Sequence, residues 1–468
     1  MVSRKKQLLA DTKLYAIGDL GSRLIAVLLV PFYTRYLSTS EYGAIDLILV
    51  TGSLIIPVIY LQIEAGIYRF LLDKNVKREE IISTSIFFSI LAQILAFSLA
   101  IAAYKIFHFS IDYLYIILIM YFLLAQNNLF LQILRGLGKV KLYAIVGIVY
   151  TICQVLFNIY FIAFNGKSYN GIILASIISF SIVIFICLFA GKLLPFFKIK
   201  AFNIKTLSIL LVFSLPLLPN AINWWIMNAS DRYIISYYLD FQTLGIYAIA
   251  YKIAGVLFIF NTIFYKAWQT SAITEYNSSS RNRYYSEIFH YLMIFQIIIV
   301  FMGIISVKFV MYFLVGDDFF ESWKYIPFLF IGSMFLSFSS FFGTGYLSAK
   351  KTRDAITTSV FGAIINIIIN IIFIPFIGIY AAAISTMLAY LALWLSRIYT
   401  TKDFFEIKAD IKFLMIGLAF IFTALGINYI SNFFIIFALD LCLVFLFVLF
   451  LMKNNIVNLG KQIIKQIL

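Results

Sequence analysis

The chain has 468 residues, of which 63% are hydrophobic and only 12% are charged. Because soluble globular domains are about one quarter charged, this composition excludes a water-soluble protein and predicts an all-α polytopic membrane protein. The net charge of +15 does not indicate nucleic-acid binding, since the lysines and arginines lie in short clusters between apolar runs, as membrane topology requires.

Apolar runs of roughly 20 residues, the length that crosses a bilayer, follow one another along the whole chain. Turn-forming residues, Gly378 and Ser431-Asn432, divide the two longest runs. About fourteen transmembrane helices are therefore predicted, near residues 14–34, 42–63, 81–104, 113–134, 142–164, 170–190, 207–227, 244–265, 288–308, 325–348, 356–376, 378–398, 412–430 and 432–452.

The distribution of basic residues predicts the orientation of these spans. With the N-terminus in the cytoplasm, about 28 lysines and arginines fall on the cytoplasmic side and about six fall outside. Such an excess follows the positive-inside rule. Both termini are therefore predicted to be cytoplasmic.

An internal repeat is visible along the chain. A Tyr-Leu pair followed by Gly43 recurs as a Tyr-Leu pair followed by Gly245, 202 residues later. Further matches follow in the same order, Asn158 with Asn370 and Gly171 with Gly378. Repeated halves of this kind commonly enclose a transport path. We therefore predict two six-helix bundles, residues 1–200 and 201–405, followed by two additional helices and a cytoplasmic tail in residues 406–468.

Three segments resemble the polysaccharide and oligosaccharide flippase family (Wzx-type) of the multidrug/oligosaccharidyl-lipid/polysaccharide exporter superfamily. They are NWWIMNASDRYIISYYL (Asn223–Leu239), LGIYAIAYKIAG (Leu244–Gly255) and GDLGSRLIAVLLVPFYTRYLSTSEYGAIDL (Gly18–Leu47). The resemblance implies a V-shaped twelve-helix core, alternating access and a location in the bacterial inner membrane. It also implies an undecaprenyl-diphosphate-linked oligosaccharide repeat unit as cargo for O-antigen, capsule or exopolysaccharide biosynthesis. The partners would then be this lipid-linked glycan, membrane lipid and other polysaccharide assembly proteins.

Two charged residues of the first predicted span, Asp19 and Arg23, are four residues apart and therefore share one helix face. In one interpretation they neutralise each other as a structural pair. In the other, Arg23 binds the cargo's diphosphate while Asp19 holds its side chain, since a planar guanidinium suits phosphate.

Lys252 lies within the eighth predicted span and has no opposite charge within a helical turn on either side. An ammonium at that depth is costly unless it has a partner or faces a watery cavity. Its partner is either Asp46 of the second span or an anion of the substrate. Asp46 can instead serve as a proton- or sodium-coupling carboxylate, because acids within membrane spans are often functional.

Arg35, Asp231 and Arg232 lie near the predicted periplasmic ends of the first and seventh spans. Each is explained equally well as an interfacial anchor or as part of a gate, and we include the two arginines among the candidate substrate-binding residues. Asp440, in the last span, is unexplained: either it pairs with an asparagine such as Asn428 or it is protonated. Amides within the spans are predicted to bridge helices rather than bind sugar; they are Asn127, Asn128, Gln132, Gln154, Asn158, Asn366 and Asn370.

The sequence has no motif of an enzyme active site, no nucleotide-binding loop and no cysteine spacing typical of a metal site; neither a cofactor nor a metal is expected. The leading hypothesis is a flippase for a diphosphate-linked lipid oligosaccharide. The alternatives are a cation-coupled multidrug exporter of the same superfamily, whose cavity would favour carboxylates, and a surface-polysaccharide polymerase, which would need a long periplasmic loop.

Overall fold

A computed structural model describes residues 27–73, 77–107, 113–166, 168–349, 352–430 and 433–453. Within these residues the chain forms sixteen α-helices and no strand. The helices are α1 (Val30–Tyr36), α2 (Thr39–Ile59), α3 (Ile63–Leu71), α4 (Arg78–Phe107), α5 (Leu114–Gly136), α6 (Val140–Asn158), α7 (Tyr169–Phe189), α8 (Ile204–Ser214), α9 (Leu218–Tyr238), α10 (Phe241–Glu275), α11 (Arg281–Leu314), α12 (Ile326–Ser348), α13 (Thr352–Ile377), α14 (Ile379–Thr401), α15 (Ile411–Asn428) and α16 (Phe433–Lys453).

The helices confirm the prediction of an all-α polytopic membrane protein. In the part of the chain that the structure describes, thirteen helical segments are long and apolar enough to cross a membrane. They coincide with the second to fourteenth predicted spans, and α1 forms the end of the first. Most of that first span, including Asp19 and Arg23, lies outside the described residues.

Several predicted spans end elsewhere than the observed helices, among them the second, the seventh and the eighth, which continues in α10 to Glu275 rather than ending at residue 265. The second was predicted to continue to residue 63, but α2 ends at Ile59, and Leu61 and Gln62 adopt left-handed backbone conformations before α3 begins. Pro57 in the last turn of α2 lacks the N–H that would continue the helical ladder. The seventh span extends past residue 227, because α9 continues to Tyr238.

The described residues divide into two compact units. The first comprises the chain up to Lys252 together with Asn370–Gly378, and the second comprises Ile253–Ile369 and the residues from Ile379 onward. α10 and α13 therefore each contribute to both units. The predicted division into bundles at residue 200 and a C-terminal pair from residue 406 stays a prediction.

Each unit has its own packed interior. In the first, α3 packs against α5 and α8, while α7 packs against α5 and α6. Tyr60, Ile63 and Ile67 are buried there with aliphatic residues of α4 and α5. In the second unit, α12 packs against α14 and α11, and α11 also packs against α15. The apolar stripes that meet in these interiors position the polar residues described below.

The turn predicted at Gly378 is confirmed. Gly378 separates α13 from α14 and has a φ of +58°, which a residue with a Cβ rarely adopts. The second predicted turn, Ser431-Asn432, lies outside the described residues.

The repeated glycines, Gly43 of α2 and Gly245 of α10, lie against each other in the first unit. A Cβ on Gly43 would collide with the backbone carbonyl of Phe241, and a Cβ on Gly245 would collide with that of Thr39. The first turns of α2 and α10 are thus in backbone contact, as small residues permit between membrane helices. We call this contact the glycine crossing.

Replacing either glycine of the crossing by alanine should destabilise the protein by about 1–3 kcal/mol, the usual cost of overpacking. The obstacle is backbone rather than a flexible side chain, so α2 and α10 would have to move apart. The melting temperature of purified Gly43→Ala and Gly245→Ala measures the effect. Gly147→Ala is the matched control, since a Cβ there meets no atom within 4 Å. Equal melting temperatures for all three variants would contradict this interpretation.

Candidate functional site

The structure brings Asp46 of α2 and Arg232 of α9 together as an ion pair. Arg232 Nε lies 2.8 Å from Asp46 Oδ2, and Arg232 Nη1 also donates to the carbonyl of Asn228 at 2.8 Å. The Arg232 side chain is only 5% exposed and that of Asp46 is 21% exposed. The Tyr251 ring lies 4.3 Å from the guanidinium carbon. Arg232 is therefore a compensated charge within the helices rather than an exposed interfacial anchor.

This pair sits in a longer row of contacts along α2. Trp225 Nε1 donates to the carbonyl of Val50 at 3.0 Å, and the hydroxyls of Thr51 and Tyr233 hydrogen-bond to each other. Positions four residues apart share one helix face, so one side of α2 contacts α9 from Asp46 to Thr51.

Asp231, next to Arg232, is fully buried. Its carboxylate oxygens accept hydrogen bonds from the Tyr247 hydroxyl at 2.5 Å and from Asn370 Nδ2 at 2.6 Å. Sequence analysis placed Asp231 near a span end, because it did not carry α9 beyond residue 227. Asn370 acts as predicted for an intramembrane amide, since it bridges α13 to α9.

Lys252 of α10 does not pair with Asp46; its nearest polar partner is a tyrosine. Lys252 Nζ donates to the Tyr42 hydroxyl at 2.9 Å and lies 5.4 Å from the ring centres of both Tyr33 and Tyr42. Among the described residues no carboxylate forms an ion pair with it. The ammonium thus contacts two buried tyrosines. Lys252 lies about 16 Å along the helix axis from the first residue of α10, at 1.5 Å per residue.

Of the other predicted site residues, Arg35 lies within the described part of the chain and the remaining two do not. Arg35 lies in the last turn of α1 and is exposed. Arg23 and Asp19 lie outside the described residues, so the pairing of Arg23 with Lys252 as a single anion site stays a prediction.

Sequence analysis missed Arg397 of α14, a second buried cation. It is 5% exposed and donates to the Ser339 carbonyl at 3.0 Å and to the hydroxyls of Thr358 and Ser359 at 3.4 Å. Its position close to the end of a predicted span concealed it. Arg397 donates hydrogen bonds to several neutral acceptors. Lys252 differs, because an ammonium has three N–H donors and Lys252 donates one hydrogen bond to the described residues.

Removing one member of the Asp46–Arg232 pair should destabilise the protein by about 3–5 kcal/mol, because the remaining charge would be buried without a partner. The unfolding free energies of Asp46→Asn, Arg232→Gln and the double variant form a thermodynamic cycle. The double variant should lose less than the sum of the single losses.

The exposed Lys198–Glu79 pair is the matched control, with side chains 56% and 48% exposed. Glu79→Gln should cost below about 1 kcal/mol, as surface ion pairs do. Equal losses for Asp46→Asn and Glu79→Gln would show that the pair is not a buried constraint.

Comparison with known proteins identifies the family and the fold. The family described as polysaccharide biosynthesis protein matches residues 8–269. An uncharacterized membrane protein of Methanocaldococcus jannaschii, MJ1068, is 33% identical over 110 residues, which are 23% of this chain and 21% of that protein. The chain therefore matches about a fifth of that relative's length.

Two solved structures share the fold over most of both chains. The lipid II flippase MurJ, in an inward closed conformation, has a TM-score of 0.67 at 16% identity and covers 95% of this chain and 99% of its own. An inward-facing multidrug resistance transporter of the MATE family has a TM-score of 0.61 at 13% identity, over 82% and 98%. At these identities the likeness shows the fold and does not identify the cargo, which has to be argued from the residues of the site. Because the family match covers more than half of the chain, the protein belongs to the polysaccharide biosynthesis protein family and is a multi-pass membrane protein with the fold of MurJ and the MATE transporters.

Proposed function

We propose that the protein is a flippase that moves undecaprenyl-diphosphate-linked oligosaccharide repeat units across the bacterial inner membrane for O-antigen, capsule or exopolysaccharide biosynthesis. Its family supports a role in polysaccharide biosynthesis, and its fold is shared with a flippase of another lipid-linked saccharide. In this proposal other polysaccharide assembly proteins supply and remove the cargo.

The observation that carries the proposal is the environment of Lys252. Its ammonium lies deep along α10 with a tyrosine hydroxyl and two ring faces as its described partners. Lys252 is half-buried, and rings with a neutral hydroxyl compensate a cation within a membrane span only in part. A diphosphate passing this point would supply the missing negative charge, and the low dielectric of the surroundings would strengthen the attraction.

The remaining candidate residues take distinct roles in this proposal. Arg23 is the second cation that contacts the diphosphate, with Asp19 holding its side chain. Arg35, which is exposed, attracts the headgroup toward the site. Arg232 serves the same site only when its bond to Asp46 is broken, and Asp46 becomes available as a coupling carboxylate in that same state.

The glycine crossing and the Asp46–Arg232 pair suggest how one end of the path closes. Both hold the first turns of α2 against the second sequence repeat. Alternating access requires that such contacts form in one state and separate in another. We propose that they are broken when the cargo passes this end of α2.

A cation-coupled multidrug exporter is the second candidate, favoured by the MATE-like fold and by the buried carboxylate of Asp231. Such an exporter binds cationic compounds, which a free ammonium at Lys252 would repel. Expression in a host that lacks drug pumps separates the two functions: a flippase should leave drug resistance unchanged.

Replacing Lys252 by alanine should lower surface glycan by at least about ten-fold, a loss of 1.4 kcal/mol or more in transport, while lipid-linked repeat units accumulate inside. Lys252→Arg should retain part of the output, because it keeps the charge. Surface glycan, accumulated lipid-linked repeat units and protein level in the membrane are measured together in a strain whose own gene is deleted.

Lys402→Ala is the matched control, since Lys402 is exposed beyond the end of α14. Wild-type glycan output from Lys252→Ala at a normal protein level would overturn the proposed role. Tyr42→Phe removes the hydroxyl that holds Lys252 but keeps the charge and the ring, so it should lower output less than Lys252→Ala does.

A further inference from the structure

A cavity of about 730 Å³ in the second unit is lined mainly by α11 and α16. Its walls are apolar except for a few side chains, among which are Lys308, Asn428 and Asp440. We call it the terminal cavity. We infer that it binds a phospholipid with a zwitterionic amine headgroup, whose phosphate contacts Lys308 and whose ammonium contacts Asp440 and Asn428. This inference does not depend on the proposed flippase function.

Two acceptors at the terminal cavity receive no hydrogen bond from any described residue. Asn428 is fully buried, and its Nδ2 donates to the carbonyls of Ile304 at 2.8 Å and Ala424 at 3.2 Å. Its Oδ1 and the Oδ1 of Asp440 are both buried without a hydrogen-bond partner in the part of the chain that the structure describes. A buried acceptor without a donor costs about 1–3 kcal/mol, and more when it is charged. A ligand that carries several N–H donors beside a positive charge would satisfy both.

Lys308 supplies the opposite charge at the same cavity. Its Nζ lies 4.2 Å from the centre of the Trp323 ring, and no described carboxylate forms an ion pair with it. Lys308 and Asp440 thus line one cavity without joining in an ion pair. One ligand with an anion and an ammonium a few bonds apart would complement both side chains.

The depth of the site suits a lipid headgroup. Lys308 lies six residues before the end of α11, or about 9 Å along the axis. α11 has 34 residues and is about 51 Å long, about 20 Å more than a hydrocarbon core of about 30 Å, so residues close to its ends can lie among the headgroups. Lys308 is therefore placed close to the boundary between headgroups and acyl chains.

The apolar wall suits acyl chains. Phe309, Phe313 and Phe437 line the terminal cavity and are exposed on the surface of the described helices. In a membrane such side chains contact lipid. Their position beside Lys308 places an apolar surface next to the charged groups, as in a phospholipid.

Charge complementarity selects this lipid over others. An anionic phospholipid such as phosphatidylglycerol offers hydroxyl donors but no ammonium, so it would leave the Asp440 carboxylate without a counter-charge and would bring its phosphate near that carboxylate. A choline headgroup carries positive charge but no N–H, so it cannot hydrogen-bond to either acceptor. A polyprenyl phosphate fits the apolar wall but also lacks an ammonium.

Native mass spectrometry of the delipidated full-length protein tests this assignment. Dioleoyl phosphatidylethanolamine, phosphatidylcholine, phosphatidylglycerol and undecaprenyl phosphate are each titrated at equal concentration. We expect the ethanolamine lipid to bind at least about ten-fold more tightly than the others, a difference of 1.4 kcal/mol. Equal binding of the phospholipids, or preferential binding of undecaprenyl phosphate, would overturn the inference.

Variants locate the binding within the protein. Asp440→Asn and Lys308→Gln should each reduce binding of the ethanolamine lipid by about ten-fold, whereas Lys402→Gln should not. Asp440→Asn preserves side-chain size, Lys308→Gln replaces the ammonium by a shorter neutral amide, and melting temperature without lipid reports the folding of both variants. Wild-type affinity in Asp440→Asn would overturn the site, and if a variant does not fold, the lipid selectivity of the wild type decides.

Discussion

The structure of this protein depends on how each ionised side chain within the membrane spans is compensated. Removing a charge from water costs several kcal/mol unless a counter-charge or hydrogen bonds replace its hydration. Asp46 and Arg232 meet this requirement with an ion pair, and Asp231 meets it with a tyrosine and an asparagine. Lys252 has a tyrosine hydroxyl and two ring faces. This difference in compensation separates side chains that hold helices together from the one we assign to an anionic cargo.

The glycine crossing adds a steric constraint to the electrostatic one. Gly43 and Gly245 occupy equivalent positions of the sequence repeat, and each leaves room for the backbone of the other helix. Tyr42, next to Gly43 in α2, reaches Lys252 of α10, and Asp46, on the next turn of α2, reaches Arg232 of α9. Close backbone contact and charge pairing therefore support each other in the first unit, and a transport cycle that opens this end would have to break both.

In the C-terminal helices, by contrast, two buried polar groups do not have all their hydrogen bonds made by described residues. Asn428 bonds α15 to α11 through its amide nitrogen, but its oxygen and an oxygen of Asp440 have no donor among the described residues. Buried polar groups are nearly always satisfied in stable proteins, so an unsatisfied pair at a cavity indicates a ligand. A bound phospholipid would then be part of the structure of the second unit, and the lipid composition of the membrane would affect its stability.

Much of the fold could be predicted from the sequence, because bilayer thickness sets the length of each apolar run. The lengths of the apolar runs predict the thirteen spans in the described residues. The turn at Gly378 is predicted by the glycine itself, which has no Cβ. The repeat of Gly43 and Gly245 was also visible, although nothing in the sequence showed that the two glycines touch. The limits of α2 and α9 were not predicted, since hydropathy alone does not show where a helix breaks or continues.

The charge partners in the candidate site were decided only by the tertiary structure. Asp46 lies 186 residues from Arg232 and 206 residues from Lys252, and sequence analysis considered only Lys252 as its partner. The packing of α2 against α9 brings the Asp46 carboxylate to Arg232. Lys252 contacts tyrosines instead. The sequence by itself determined a helical membrane protein with few, costly internal charges, because composition and run length are local properties. Which charge neutralises which required the structure, because ion pairing depends on a few ångströms between residues far apart in the chain.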